Sequence, residues 1–60
     1  MIFNGDIQAN LDLLNTSTQQ LLVHATLKEK HPTMQNQFLI DDCYSIALAT
    51  RNLLSLYQKF

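Results

Sequence analysis

The sequence predicts an all-α protein: an antiparallel two-helix hairpin that dimerises into a four-helix bundle. Two apolar stripes and one proline carry the first part of that reading. Before Pro32, the positions Ile7, Leu11, Leu14, Thr18, Leu21 and Ala25 recur at alternating steps of four and three. After it, Leu39, Cys43, Ile46, Thr50, Leu53, Tyr57 and Phe60 do the same. That spacing is the seam of a helix lying at a shallow angle against another helix. A surplus of apolar residues carries the second part. Leu13, Leu22, Val23, Leu27, Ile40, Leu48, Leu54 and Leu56 lie beside or beyond the stripes, more than a lone hairpin can hide.

The first helix is expected over about residues 6–29, opened by Asn4 or Asp6, whose side chains suit exposed N-terminal backbone N–H groups. Its middle, Asn15-Thr16-Ser17-Thr18-Gln19-Gln20, is polar, uncharged and contains poor helix formers. A break at Asn15 to Ser17, giving three helices, is the rival reading. The four-three phase runs undisturbed across the segment, which favours one continuous helix. Lys30-His31-Pro32-Thr33 forms the turn, because proline disfavours a helical residue before it and fits only a helix's first turn after it. The second helix then runs over about residues 33–58, capped by Thr33 or His31. The turn is short and lacks glycine, which suits antiparallel neighbours. Folding the chain about Pro32 sets Asp12 near Arg51 and Asp6 near Lys59. Acids early and bases late in each helix complement the helix dipoles.

Sixty residues make one domain near the lower limit for independent folding. A composition of 47% hydrophobic and 15% charged residues is that of an ordered chain rather than a disordered one. A core of this size seldom yields more than about 3–5 kcal/mol without staples. The single cysteine offers no internal disulfide, so self-association is the remaining remedy. A net charge of −1 gives no long-range field for nucleic acid or anionic lipid. Neither a basic n-region with an apolar run nor a membrane-length apolar segment is present, and one cysteine suits a reducing cytoplasm. A cytoplasmic protein without membrane attachment is the expectation.

Few residues suggest chemistry. The hairpin register brings His24 level with Asp41 and Asp42, a pairing that tunes a general base or, in a dimer, supplies metal ligands. One histidine and two carboxylates fall short of a metal site, and no H-x-x-x-H or E-x-x-H spacing occurs. Cys43 lies among Asp41, Asp42 and Tyr44, whose acids oppose thiolate formation, so it reads as a buried structural thiol. The aromatics Phe3, Phe38, Tyr44, Tyr57 and Phe60 lack interleaved basic residues and read as core or interface rather than a base-stacking platform. Tyr57 and Phe60 are expected to close the open end against Phe3 and Ile7. Lys28, Glu29 and Lys30 read as a solvated helix end.

In length, hairpin plan, heptad phase, and a cysteine and a tyrosine in the second helix, the chain resembles the Rop family of small RNA-binding regulators. That resemblance implies a dimeric four-helix bundle and, as an alternative function, RNA binding. Rop-like RNA binding uses basic and polar side chains on the first helix. Here that helix holds Asn10, Gln20 and His24 but no Lys or Arg before Lys28, so no functional residue is carried over. The sequence therefore points to a non-enzymatic helical interaction or regulatory module, with no cofactor and no metal. It acts through a homodimer and contacts with a larger protein rather than nucleic acid or a membrane. The residues expected to form its core and interface are Leu11, Leu14, Leu21, Leu39, Cys43, Ile46, Leu53 and Tyr57.

Overall fold

A computed structural model describes residues 7–58, which form two helices packed side by side as a hairpin. Helix α1 spans Ile7–Lys30 and α2 spans Gln37–Tyr57. The caps expected at Asn4 or Asp6, the Asp6–Lys59 pair, and the contacts of Phe3 and Phe60 lie outside the described residues. Among the described residues, no helix is long and apolar enough to cross a membrane.

Helix α1 is continuous through its polar middle. Thr18 returns its hydroxyl to the carbonyl of Leu14 at 2.7 Å, and Gln19 reaches Asn15 at 3.4 Å. These local bonds satisfy side chains that otherwise compete with the helical backbone. Ser17, in the same stretch, is buried. The segment is thus not a break, and through Ser17 it forms part of the seam with α2.

The second helix begins at Gln37, four residues later than expected. Pro32 does not open it; it occupies the second position of a turn closed by the Met34 N–H on the His31 carbonyl at 2.9 Å. Below that turn, the His31 N–H still bonds the Leu27 carbonyl at 2.8 Å, and the Lys28 ammonium donates to the Met34 carbonyl. Neither Thr33 nor His31 caps α2. Asn36 does so with helical backbone angles and without a side-chain bond, and the Ile40 N–H bonds its carbonyl at 3.0 Å. No described residue has a positive φ, consistent with a turn built without glycine. With this later start, the first turn of α2 carries no acid, and its last turn carries no base; only α1 ends as expected, on Lys28 and Lys30.

The seam between the helices differs from the predicted stripes. On α1, Asn10 and Ser17 are buried, with Leu14, Leu21, His24 and Lys28 partly covered along the same line. On α2 the line runs through Asp42, Ser45, Ala49, Asn52 and Leu56, of which Asp42 and Ala49 are buried. Ala49 is fully covered and is the sole buried hydrophobic residue among those described. Small side chains at Ser17 and Ala49 let the backbones approach closely. Asp12 and Arg51 form no ion pair, since both lie on the outer side of their helices; Asp12 instead accepts a bond from Gln8 at 2.9 Å. Ala49→Leu forces a large side chain into this contact and is expected to cost about 1–3 kcal/mol. Urea unfolding followed by circular dichroism measures it, and an unchanged midpoint would place the closest approach elsewhere.

Candidate interaction face

Two polar rungs cross the seam. Near the open end, the Asn52 side-chain amide donates to the Asn10 amide oxygen at 3.0 Å. Toward the turn, His24 Nδ1 meets Asp42 Oδ2 at 2.5 Å. The register thus selects Asp42 over Asp41, which instead accepts from Gln37 at 2.7 Å. A carboxylate only accepts, so against one the imidazole donates from Nδ1. The Asp42 side chain is 6% exposed and that of His24 26%. The Phe38 ring lies 5.3 Å from the imidazole, tilted by 39°. No buried side-chain polar atom among the described residues lacks a partner.

Among the described residues, no third titratable side chain bonds this pair. Cys43 follows Asp42 directly, and one helical step of about 100° turns it away from the seam. The thiol, expected as buried, is exposed on the hairpin's surface. His31 lies past the end of α1, exposed in the turn, and does not join His24. No group of three or more His, Cys, Asp or Glu side chains able to hold a metal occurs among the described residues. What the His24–Asp42 and Asn10–Asn52 bonds do is fix how far one helix slides along the other.

The predicted stripes lie immediately beside this seam, displaced by one position around each helix. Because α2 runs antiparallel to α1, the same rotational displacement brings both stripes to one side of the hairpin. With Asn10 opposite Asn52 and His24 opposite Asp42, the stripe residues fall into successive layers. Ile7 is level with Tyr57, Leu11 with Leu53, Leu14 with Thr50, Thr18 with Ile46, Leu21 with Cys43, and Ala25 with Leu39. Leu14, Leu21, Leu39, Ile46 and Leu53 are half-buried at the edge of the seam, whereas Leu11, Cys43 and Tyr57 are exposed. Tyr57 is 75% exposed. At the open end the two stripes line a shallow groove of about 480 Å³, in which Ile7 and Leu11 face Leu53, Leu56 and Tyr57. No layer contains a charged residue.

Sequence reasoning missed the Asn10–Asn52 rung, the Ser17 and Ala49 contact, and the Lys28 bond that ties down the turn. A signal was present: Asn10, Leu14, Ser17, Leu21, His24 and Lys28 repeat with the same four-three steps as the apolar stripe. Phe38, Tyr44 and Ile40 are exposed, with Phe38 covering the imidazole rather than entering a core. No protein family, curated protein or solved structure matches the chain.

Removing either member of the His24–Asp42 pair leaves a partly buried polar group without its partner, at an expected cost of about 1–3 kcal/mol. In a double-mutant cycle of His24→Ala and Asp42→Ala, the coupling should be about 0.5–3 kcal/mol, the range for residues in contact. Additive losses would mean that the two side chains do not interact in solution.

Proposed function

We propose that this chain is a non-enzymatic helical interaction module that self-associates through the apolar face formed by its two stripes and acts through protein–protein contacts. The observation that carries the reading is the contrast between a small, polar seam and a charge-free, only partly covered flank of leucine and isoleucine beside it. Burying a large apolar side chain is worth roughly 1.5–3 kcal/mol. Leu11, Leu14, Leu21, Leu39, Ile46 and Leu53 realise only part of that in the hairpin. Large contiguous apolar patches on a small chain mark interaction surfaces.

A second copy is the occupant that matches the face. The hairpin measures 44 × 17 × 14 Å. One broad side therefore offers about 700 Å², near the roughly 800 Å² per partner of a standard interface. Two copies of an uncharged face meet without like-charge repulsion, and docking buries no unpaired charge. Four helices around these layers form the four-helix bundle, with Leu11, Leu14, Leu21, Leu39, Cys43, Ile46, Leu53 and Tyr57 facing its interior. Protein contact is favoured over nucleic acid because α1 offers no Lys or Arg before Lys28 to neutralise phosphates.

Light scattering on a sizing column, combined with circular dichroism across dilution, tests the reading. A helical species of twice the 6.9 kDa chain mass is expected, losing helicity on dilution. Ile46→Asp puts a charge in the middle of the face and should dissociate or unfold it. Native mass and helicity in that variant, or a stable folded monomer of the parent chain, would overturn the proposal.

A further inference from the structure

We propose that the groove at the open end is filled by Met1 and Phe3 of the same chain, folded back over the start of α1. The inference rests on the hairpin alone and holds for one copy or two. The groove begins at Ile7, the residue that opens α1, and continues between Leu11, Leu53 and Tyr57. Ile7, Leu11 and Tyr57 are exposed, and no charged side chain lines the space between them. Six residues precede Ile7 in the sequence, Met1-Ile2-Phe3-Asn4-Gly5-Asp6, and three of them are large, apolar and consecutive.

Filling the groove from this segment requires the chain to reverse just before Ile7. Asn4-Gly5 has the chemistry of such a reversal. In a β-turn from Phe3 to Asp6 these two residues hold the central positions, and glycine takes the positive φ that types I′ and II require there. Gly5 is the chain's only glycine. The turn brings the Cα atoms of Phe3 and Asp6 within about 7 Å, so Phe3 arrives beside Ile7. It also leaves Asp6 at the N-terminus of α1, where a carboxylate complements the helix dipole.

The spacing beyond the turn matches the groove. An extended segment sets alternate side chains on one face about 6.7 Å apart. Ile7 and Leu11 are separated by about 6 Å along the helix axis, four residues at 1.5 Å each. Phe3 therefore covers the layer of Ile7 and Tyr57, and Met1 covers the layer of Leu11 and Leu53, with Ile2 on the outer side. Tethering favours this occupant over a free apolar molecule, because a short link holds it at an effective concentration in the millimolar range. Lys59-Phe60, which follow α2, bring one large apolar side chain and a charge.

Nuclear Overhauser contacts in the full chain, with labelled Ile, Leu and Met methyl groups, read the arrangement. The Phe3 ring should contact the Ile7 methyls, and the Met1 methyl those of Leu11 and Leu53. Phe3→Ala should shift the Ile7 methyl signals, with helicity by circular dichroism unchanged. Gly5→Val, which disfavours a positive φ, should weaken both sets of contacts; full contacts in that variant would overturn the turn geometry. A mixture of labelled and unlabelled chains separates contacts within a chain from those between chains. Contacts found only between chains overturn the assignment to the same chain. A parent chain that keeps both helices but shows neither the Phe3 nor the Met1 contacts overturns the proposal, whatever its mass.

Discussion

The arrangement of this molecule follows from the small and polar character of the line along which its two helices touch. Ala49 is fully covered, and Ser17 is buried on the facing helix. Helices separated by such short side chains approach closely there, while Leu14, Leu21 and Leu56, which share the line, are only partly covered. Leu11, Ile46 and Leu53 are carried on its flank. Antiparallel connection through the Pro32 turn then puts the two large-residue flanks on the same side. The result is a hairpin with small and polar residues at its closest contact and a charge-free apolar flank beside it.

The cross-helix bonds act by penalty as much as by attraction. A net hydrogen bond contributes only about 0.5–1.5 kcal/mol, but a buried group deprived of its partner loses more. Asp42, almost wholly covered, finds His24 in one register. A shift of α2 by a single residue would turn Asp42 toward the apolar flank and bring Cys43 or Asp41 toward the seam. The Asn10–Asn52 amide bond imposes the same condition near the other end. Between them these two rungs make wrong registers costly along most of the hairpin, as isolated polar residues do in coiled coils. The Lys28 ammonium on the Met34 carbonyl extends the constraint into the turn.

Much of the architecture was legible from spacing alone. Alternating four-three steps located both helices and the hairpin, and an unbroken phase correctly carried α1 through Asn15 to Gln20. The start of α2 was not legible. Proline's fixed φ is equally compatible with a helix's first turn and with the second position of a β-turn, and Lys28 selects the turn through a contact no local pattern encodes. Hydrophobic periodicity also located a charge-free apolar flank, but not the line that meets the neighbouring helix. His24 with Asp42 was visible because a register brings them level. Asn10 with Asn52 was not, since neutral amides at helical spacing look like solvated surface until a partner is found.

Rotating each helix to bring Leu14, Leu21, Ile46 and Leu53 directly together would give the hairpin a greasier centre of its own. It would also turn Asp42, His24 and the two asparagines toward water, and spread the larger side chains so that the helices stood further apart. In two helices each large residue would still be open to solvent on at least one side, because a pair of cylinders shields only a narrow stripe. Layers of four helices enclose such residues from several directions, and area removed from water grows accordingly. The observed rotation gives up burial along the apolar stripes and leaves a charge-free flank beside the seam. In that division, the polar seam sets a single register inside the chain, and in the proposed assembly the apolar face would supply the free energy of association. Neither surface could replace the other. Amide and imidazole contacts carry too little net energy to hold two copies together, and a uniform row of leucines does not distinguish one register from the next.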